Sequence, residues 1–101
     1  VSASATSLRI EGELTIYRAA ELKHALLEPL AAGSVELDLS AVTEIDSAGV
    51  QLLMLAKREA SLHDCEFRLA NHSAAVLEVF ELLDLAGYFG DPIVMPAHNG
   101  A

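Results

Sequence analysis

Apolar positions along this chain keep two rhythms, one of period two and one near 3.6, and the two alternate. Ser7-Leu8-Arg9-Ile10-Glu11-Gly12-Glu13-Leu14 alternates with a break at Gly12. It predicts one strand, or two short strands meeting at a bulge or turn. From Tyr17 to Ala31, Ala20, Leu22, Ala25, Leu26, Leu27 and Leu30 recur at helical spacing, with Pro29 near the end and Gly33 as the stop. Val35-Glu-Leu-Asp-Leu39 alternates strictly and places Val35, Leu37 and Leu39 on one face of a strand. A polar turn, Thr43 to Gly49, then leads into an apolar helix over Ala48 to Ser61, with Lys57 and Arg58 in its last turns, where the helix dipole favours them. Glu66 to Ala70 predicts a further strand. Ser73 is the N-cap of a helix from Ala74 to Leu85, ended by Gly87. Pro92 to Met95 predicts a short edge strand, with loose ends at 1–6 and 96–101. Strands alternating with helices give an α/β sandwich in one domain over 1–101, with a mixed, mostly parallel sheet of four to five strands and helices packed against it.

Composition narrows what such a domain can bind. Hydrophobic residues make up 52% of the chain and aromatics only 5%, so the core is aliphatic. The formal net charge of −9 argues against nucleic acid and against anionic membrane surfaces, both of which need clustered Lys and Arg. A basic or mixed-charge protein partner fits better. Cys65 is the single cysteine, which excludes an internal disulfide and reads as an inert, half-buried thiol. The chain shows no basic-then-apolar leader and no apolar run of roughly 20 residues, so a cytoplasmic protein without membrane insertion is expected.

Catalytic chemistry finds little support. His24, His63, His72 and His98 form neither an i, i+4 pair nor a zinc spacing, and read as surface histidines. No Gly-rich phosphate loop or nucleophile elbow is present, and no cofactor, metal or enzymatic activity is expected. Asp38, Glu44 and Asp46 crowd the end of the central strand and the turn after it; they read as solvated turn residues rather than a magnesium site. Ser47, at the mouth of the second helix, has two readings. Its hydroxyl caps the helix, or it carries a phosphate where open backbone N–H groups and the dipole tolerate an anion.

The stretch LDLSAVTEIDSAGVQLLMLAKREA, the earlier Gly12-Glu13-Leu14 and the later Asn71-His72-Ser73-Ala74-Ala75-Val76-Leu77 together resemble the STAS domain, the anti-sigma factor antagonist family. The family pattern is a strand, then Asp-Ser/Thr-x-Gly, then an apolar helix, and the resemblance covers nearly the whole chain. It implies a regulatory domain switched by phosphorylation of Ser47. A histidine-kinase-like ATPase (the anti-sigma factor) would be the kinase and a PP2C-type phosphatase would reverse it, in a partner-switching system that frees a sigma factor. Asp46 would position Ser47, Gly49 would permit close approach of a partner backbone or act as a small residue in the first turn, and Val50 and Leu53 would contribute to the surface of the second helix. Thr15 and Tyr17 would lie near the same end of the sheet. Two positions depart from the pattern: Thr15 stands where many partner-switching members have Asp, and Ala48 where a second hydroxyl is common. The departures open alternatives: a non-phosphorylated subunit binding an ABC-transporter ATPase in lipid transport, or an adaptor in a chemotaxis-like cluster. Nucleotide sensing is a further family property, but no aromatic or Gly-rich signature supports it here.

Overall fold

In the computed structural model, which describes residues 6–85, the chain runs β1 (Thr6–Leu14), α1 (Ala19–Ala32), β2 (Val35–Ile45), α2 (Ser47–Leu62), β3 (Phe67–Ala70) and α3 (Ala74–Leu83). The strands form one parallel sheet in the order β1-β2-β3. Consecutive parallel strands joined by right-handed crossovers put α1 and α2 on one face, and those two helices pack against each other. Helix α3 packs on β2. The α/β class is as expected, but the described residues hold three strands rather than four to five. The expected edge strand at Pro92–Met95 and the stop at Gly87 lie outside the described residues.

Burial follows the alternation. Val35, Leu37 and Leu39 are fully buried, and Leu22, Leu26 and Leu30 turn the apolar stripe of α1 into the same core. From α2, Leu53 and Ala56 complete that layer, while Val76 and Phe80 bury the inner face of α3. The core is aliphatic apart from Phe67 and Phe80.

Several boundaries differ from the sequence reading; α1, for one, begins at Ala19 rather than Tyr17. Thr6 belongs to β1, its N–H donating to the Ser34 carbonyl at 2.9 Å. Strand β2 does not end at Leu39 but runs on to Ile45, so Thr43, Glu44 and Ile45 are strand rather than turn. Partners on β1 extend it: Glu11 pairs with Ala41, Gly12 with Val42 and Glu13 with Glu44, past register shifts between Arg9 and Glu11 and between Gly12 and Glu13. The bulge signal at Gly12 is thereby realised within one continuous strand. Finally, α3 stops two residues early because Asp84 adopts the left-handed conformation (φ 57°) and Leu85 N–H folds back to the Phe80 carbonyl at 2.9 Å. Helix α2 also continues to Leu62, which leaves Lys57 and Arg58 outside its last turn.

The bulge is clamped from the next segment. Gly12 takes a positive φ of 87°, a region open to glycine at little steric cost. One guanidinium nitrogen of Arg18, Nη1, donates to the carbonyls on either side of it, Glu11 at 2.6 Å and Glu13 at 3.0 Å. Arg18 thus ties the entry of α1 to the end of β1.

Candidate functional site

The β2–α2 junction is organised by one carboxylate. Asp46 is the N-cap of α2, with extended backbone (φ −120°, ψ −174°), and its Oδ1 accepts from Gly49 N–H at 3.0 Å. Its Oδ2 accepts from Ile16 N–H at 3.1 Å, thirty residues away in the β1–α1 loop. Its own N–H donates to the Leu14 carbonyl at 3.3 Å, and its carbonyl accepts from Val50 N–H at 3.0 Å. Asp46 therefore pins the ends of β1, β2 and α2 to one another. The Ile16 N–H, and next the Gly49 N–H, stabilise the charged carboxylate and hold its pKa below the usual value.

With Asp46 in that role, Ser47 is not the cap. It is the first residue of α2, and its side chain is exposed. The capping half of its two readings therefore passes to Asp46, an equally good N-cap by chemistry. What remains at Ser47 is an outward hydroxyl on the first helical turn, beside N–H groups that carry the positive end of the dipole.

Gly49 serves an internal contact. It is buried, and a Cβ added there would run into the Leu14 carbonyl oxygen, 2.9 Å from Leu14 Cγ and 3.0 Å from its carbonyl carbon. The backbone that approaches Gly49 is thus the chain's own strand β1 and not a partner's. Val50 and Leu53 also differ from expectation, because the amphipathic phase of α2 turns them inward, 5% and 0% exposed. They fix the helix from behind and form no part of its outer surface. Ala48, Gln51 and Leu55 face outward instead, along a shallow groove against Ala19, Ala20 and Lys23 of α1.

Thr15 and Tyr17 follow β1 and lie at the same end of the sheet as Asp46. Thr15 is buried at 6% exposure and its hydroxyl donates to Glu13 Oε1 at 3.0 Å. Tyr17 is 88% exposed and Ile16 61%. Thr15 and Tyr17 border a larger groove of about 510 Å³ between the upper half of β2 and the first turns of α3. The expected crowd of carboxylates divides in two. Glu44 and Asp46 line this groove. Asp38 lies about 20 Å back along β2, at ~3.3 Å per residue, in register with Ala70. Its Oδ1 accepts from Ser40 N–H at 2.8 Å, and that bond leads in lowering its pKa.

The histidines are not all surface groups. The ring of His72 stands edge-on to Phe80, centroids 5.5 Å apart. His63 caps the end of α2, 3.7 Å from Glu59. Cys65 is half-buried, its Sγ 3.4 Å from the His63 carbonyl oxygen. Among the described residues no group of three or more His, Cys, Asp or Glu could hold a metal ion, and no helix is long and apolar enough to cross a membrane. Sequence reasoning missed Leu14, Ile16 and Arg18. Only the Asp preceding Ser47, an N-cap type in its own right, signalled that the cap lay one residue earlier.

Residues 2–95 match the sequence model of a protein family described as "Mlab, STAS domain". The fold is shared by solved structures, among them these three. The anti-sigma factor antagonist SpoIIAA in its unphosphorylated form superposes with a TM-score of 0.70 at 19% identity, over 92% of this chain and 85% of that one. An anti-sigma factor antagonist candidate from Thermotoga maritima gives 0.72 at 24% identity, over 84% and 75%. The STAS domain of a SulP transporter from Vibrio cholerae gives 0.68 at 14% identity, over 92% and 77%.

Proposed function

The chain belongs to the STAS domain family, and we propose that it is a non-enzymatic regulatory domain that binds a protein partner and is switched by phosphorylation of Ser47. The observation that carries this reading is the division of labour at the head of α2. Asp46 does the capping, which leaves the Ser47 hydroxyl exposed and structurally dispensable. A phosphate there adds about −1.5 to −2 charge. The helix dipole favours it, so the fold is retained. The adjacent Asp46 and Glu44 oppose it, and its bulk and hydration disrupt any surface packed against the exposed face of the turn.

In this scheme the unmodified domain sequesters a histidine-kinase-like ATPase of the anti-sigma factor type, the kinase modifies Ser47 and dissociates, and a PP2C-type phosphatase resets the cycle. A cytoplasmic setting suits all three components. A second reading, a constitutive subunit on an ABC-transporter ATPase, is favoured by Thr15. This residue is buried and bonded to Glu13, so it presents no carboxylate to a kinase where partner-switching members have Asp.

The test is intact mass with site mapping on protein purified from its native host under phosphatase inhibition, together with partner binding by Ser47→Asp and Ser47→Ala. One phosphate on Ser47, loss of binding in Ser47→Asp and unfolding at nearly the parental temperature are the expected results. No phosphate across growth conditions, with Ser47→Asp binding as the parent does, overturns the switch and leaves the constitutive subunit.

A further inference from the structure

The larger groove carries an unbalanced charge. Glu13 of β1 and Glu44 of β2 are register partners, and both line it. Two carboxylates thus stand on adjacent strands along one wall of the groove. Glu78 of α3 faces the groove from the far wall, and none of the residues lining it is basic. Its apolar lining is supplied by Ile45, Ala75 and Val79, with the exposed ring of Tyr17 at one end. Strand β3 pairs with β2 only as far as Asp38. Among the described residues, the upper half of β2 thus lacks a strand neighbour on its second edge.

We propose that this groove seats a basic amphipathic segment of the protein partner. Its apolar side chains would lie on Ile45 and Val79, and its Lys or Arg side chains on Glu13, Glu44 and Glu78. Charge complementarity decides the occupant. Three glutamates without a basic neighbour in the lining complement a cationic segment, and the chain's net charge of −9 draws such a partner in. A second copy of this chain would bring more negative charge to the groove. The inference rests on the protein-binding reading above and names the chemistry of the surface that the partner presents.

The test titrates the isotope-labelled full chain with an amphipathic Lys/Leu helical peptide and with its composition-matched scramble, following backbone amide shifts. Shifts concentrated at Tyr17, Thr43, Glu44 and Val79 are expected. Binding should weaken with salt, and roughly fivefold in the Glu44→Gln/Glu78→Gln variant, two exposed ion pairs being removed. That variant should unfold at the parental temperature or slightly above it. Equal binding by the scramble, shifts spread over Glu21, Glu28 and Glu36, or undiminished affinity in the variant overturns the groove assignment. Ser47→Asp in the partner assay separates the two ideas. If it leaves partner binding intact while the peptide still maps to the groove, the switch falls and the groove stands. The opposite pattern removes the groove alone.

Discussion

Replacing Gly49 by Ala tests which backbone the glycine makes room for, because the two answers differ in sign. If Gly49 is an ordinary glycine early in a helix, Ala gains up to about 1 kcal/mol of helix propensity. The structure requires the opposite. The new methyl would stand 2.9 Å from Leu14 Cγ and 3.0 Å from the Leu14 carbonyl carbon, where carbon atoms in contact settle at about 3.5–4.0 Å. Two of the three nearest obstacles are backbone atoms of a strand paired in the sheet, so no rotamer change relieves them. Overpacking at such a point costs about 3 kcal/mol. Pushing Leu14 away also removes its hydrogen bond from Asp46 N–H, about 1 kcal/mol. Net of the helix gain, Gly49→Ala should lose about 3 kcal/mol, a drop of roughly 12–24 °C in Tm for a domain of this size. Urea titration followed by circular dichroism measures it directly. A variant within about 0.5 kcal/mol of the parent, the range of an uninvolved surface change, refutes the internal-contact argument and returns Gly49 to the partner's side.

Two further substitutions probe the same end of the sheet. Asp46→Ala should cost about 1 kcal/mol at neutral pH through loss of the cap. Because the folded-state pKa of Asp46 is lowered, its contribution is fully present above the ordinary carboxylate value of about 3.9 and is lost as pH falls through the lowered folded value. The gap between parent and variant should therefore close in acid, and a gap that stays constant from pH 7 to about pH 2 contradicts the assignment. Arg18→Met keeps the side-chain length but removes the clamp on the Glu11 and Glu13 carbonyls, about 1–2 kcal/mol for charge-assisted bonds at a partly exposed site. Faster amide exchange in β1 around Gly12, with α3 unaffected, is its expected signature.

The elements whose apolar rhythm is unbroken were legible in the sequence. The α1 stripe, the first half of β2, the α2 body and the Ser73 cap stand where periodicity and capping chemistry put them. The rest depended on contacts across the chain. Thr43 to Ile45 read as the start of a polar turn, because the strict apolar alternation of β2 stops at Leu39. They are strand because β1, bulged at Gly12, supplies hydrogen-bonding partners on one edge. Ser47 and Asp46 are both good N-caps, and local sequence cannot rank them. The fold ranks them, since Ile16 N–H and Gly49 N–H both donate to the Asp46 carboxylate. The inward phase of Val50 and Leu53 follows from their helical spacing with Ala56 and Ala60, which puts all four on the buried face of α2.

That single shift of the cap changes what the motif Asp-Ser-Ala-Gly is for. Asp46 and Gly49 are the fixed points, one holding the β1–α1 loop by a carboxylate and the other letting Leu14 lie against the first turn of α2. Between them lie Ser47 and Ala48, and Ser47 is the more exposed of the two. A modification there meets a turn braced at both ends, so its free energy has few local ways to relax into the fold. It is felt instead by whatever lies against the exposed face. A braced turn also makes Ser47→Asp informative: because capping and close packing belong to its neighbours, lost binding in that variant reports on the interface rather than on a damaged helix end.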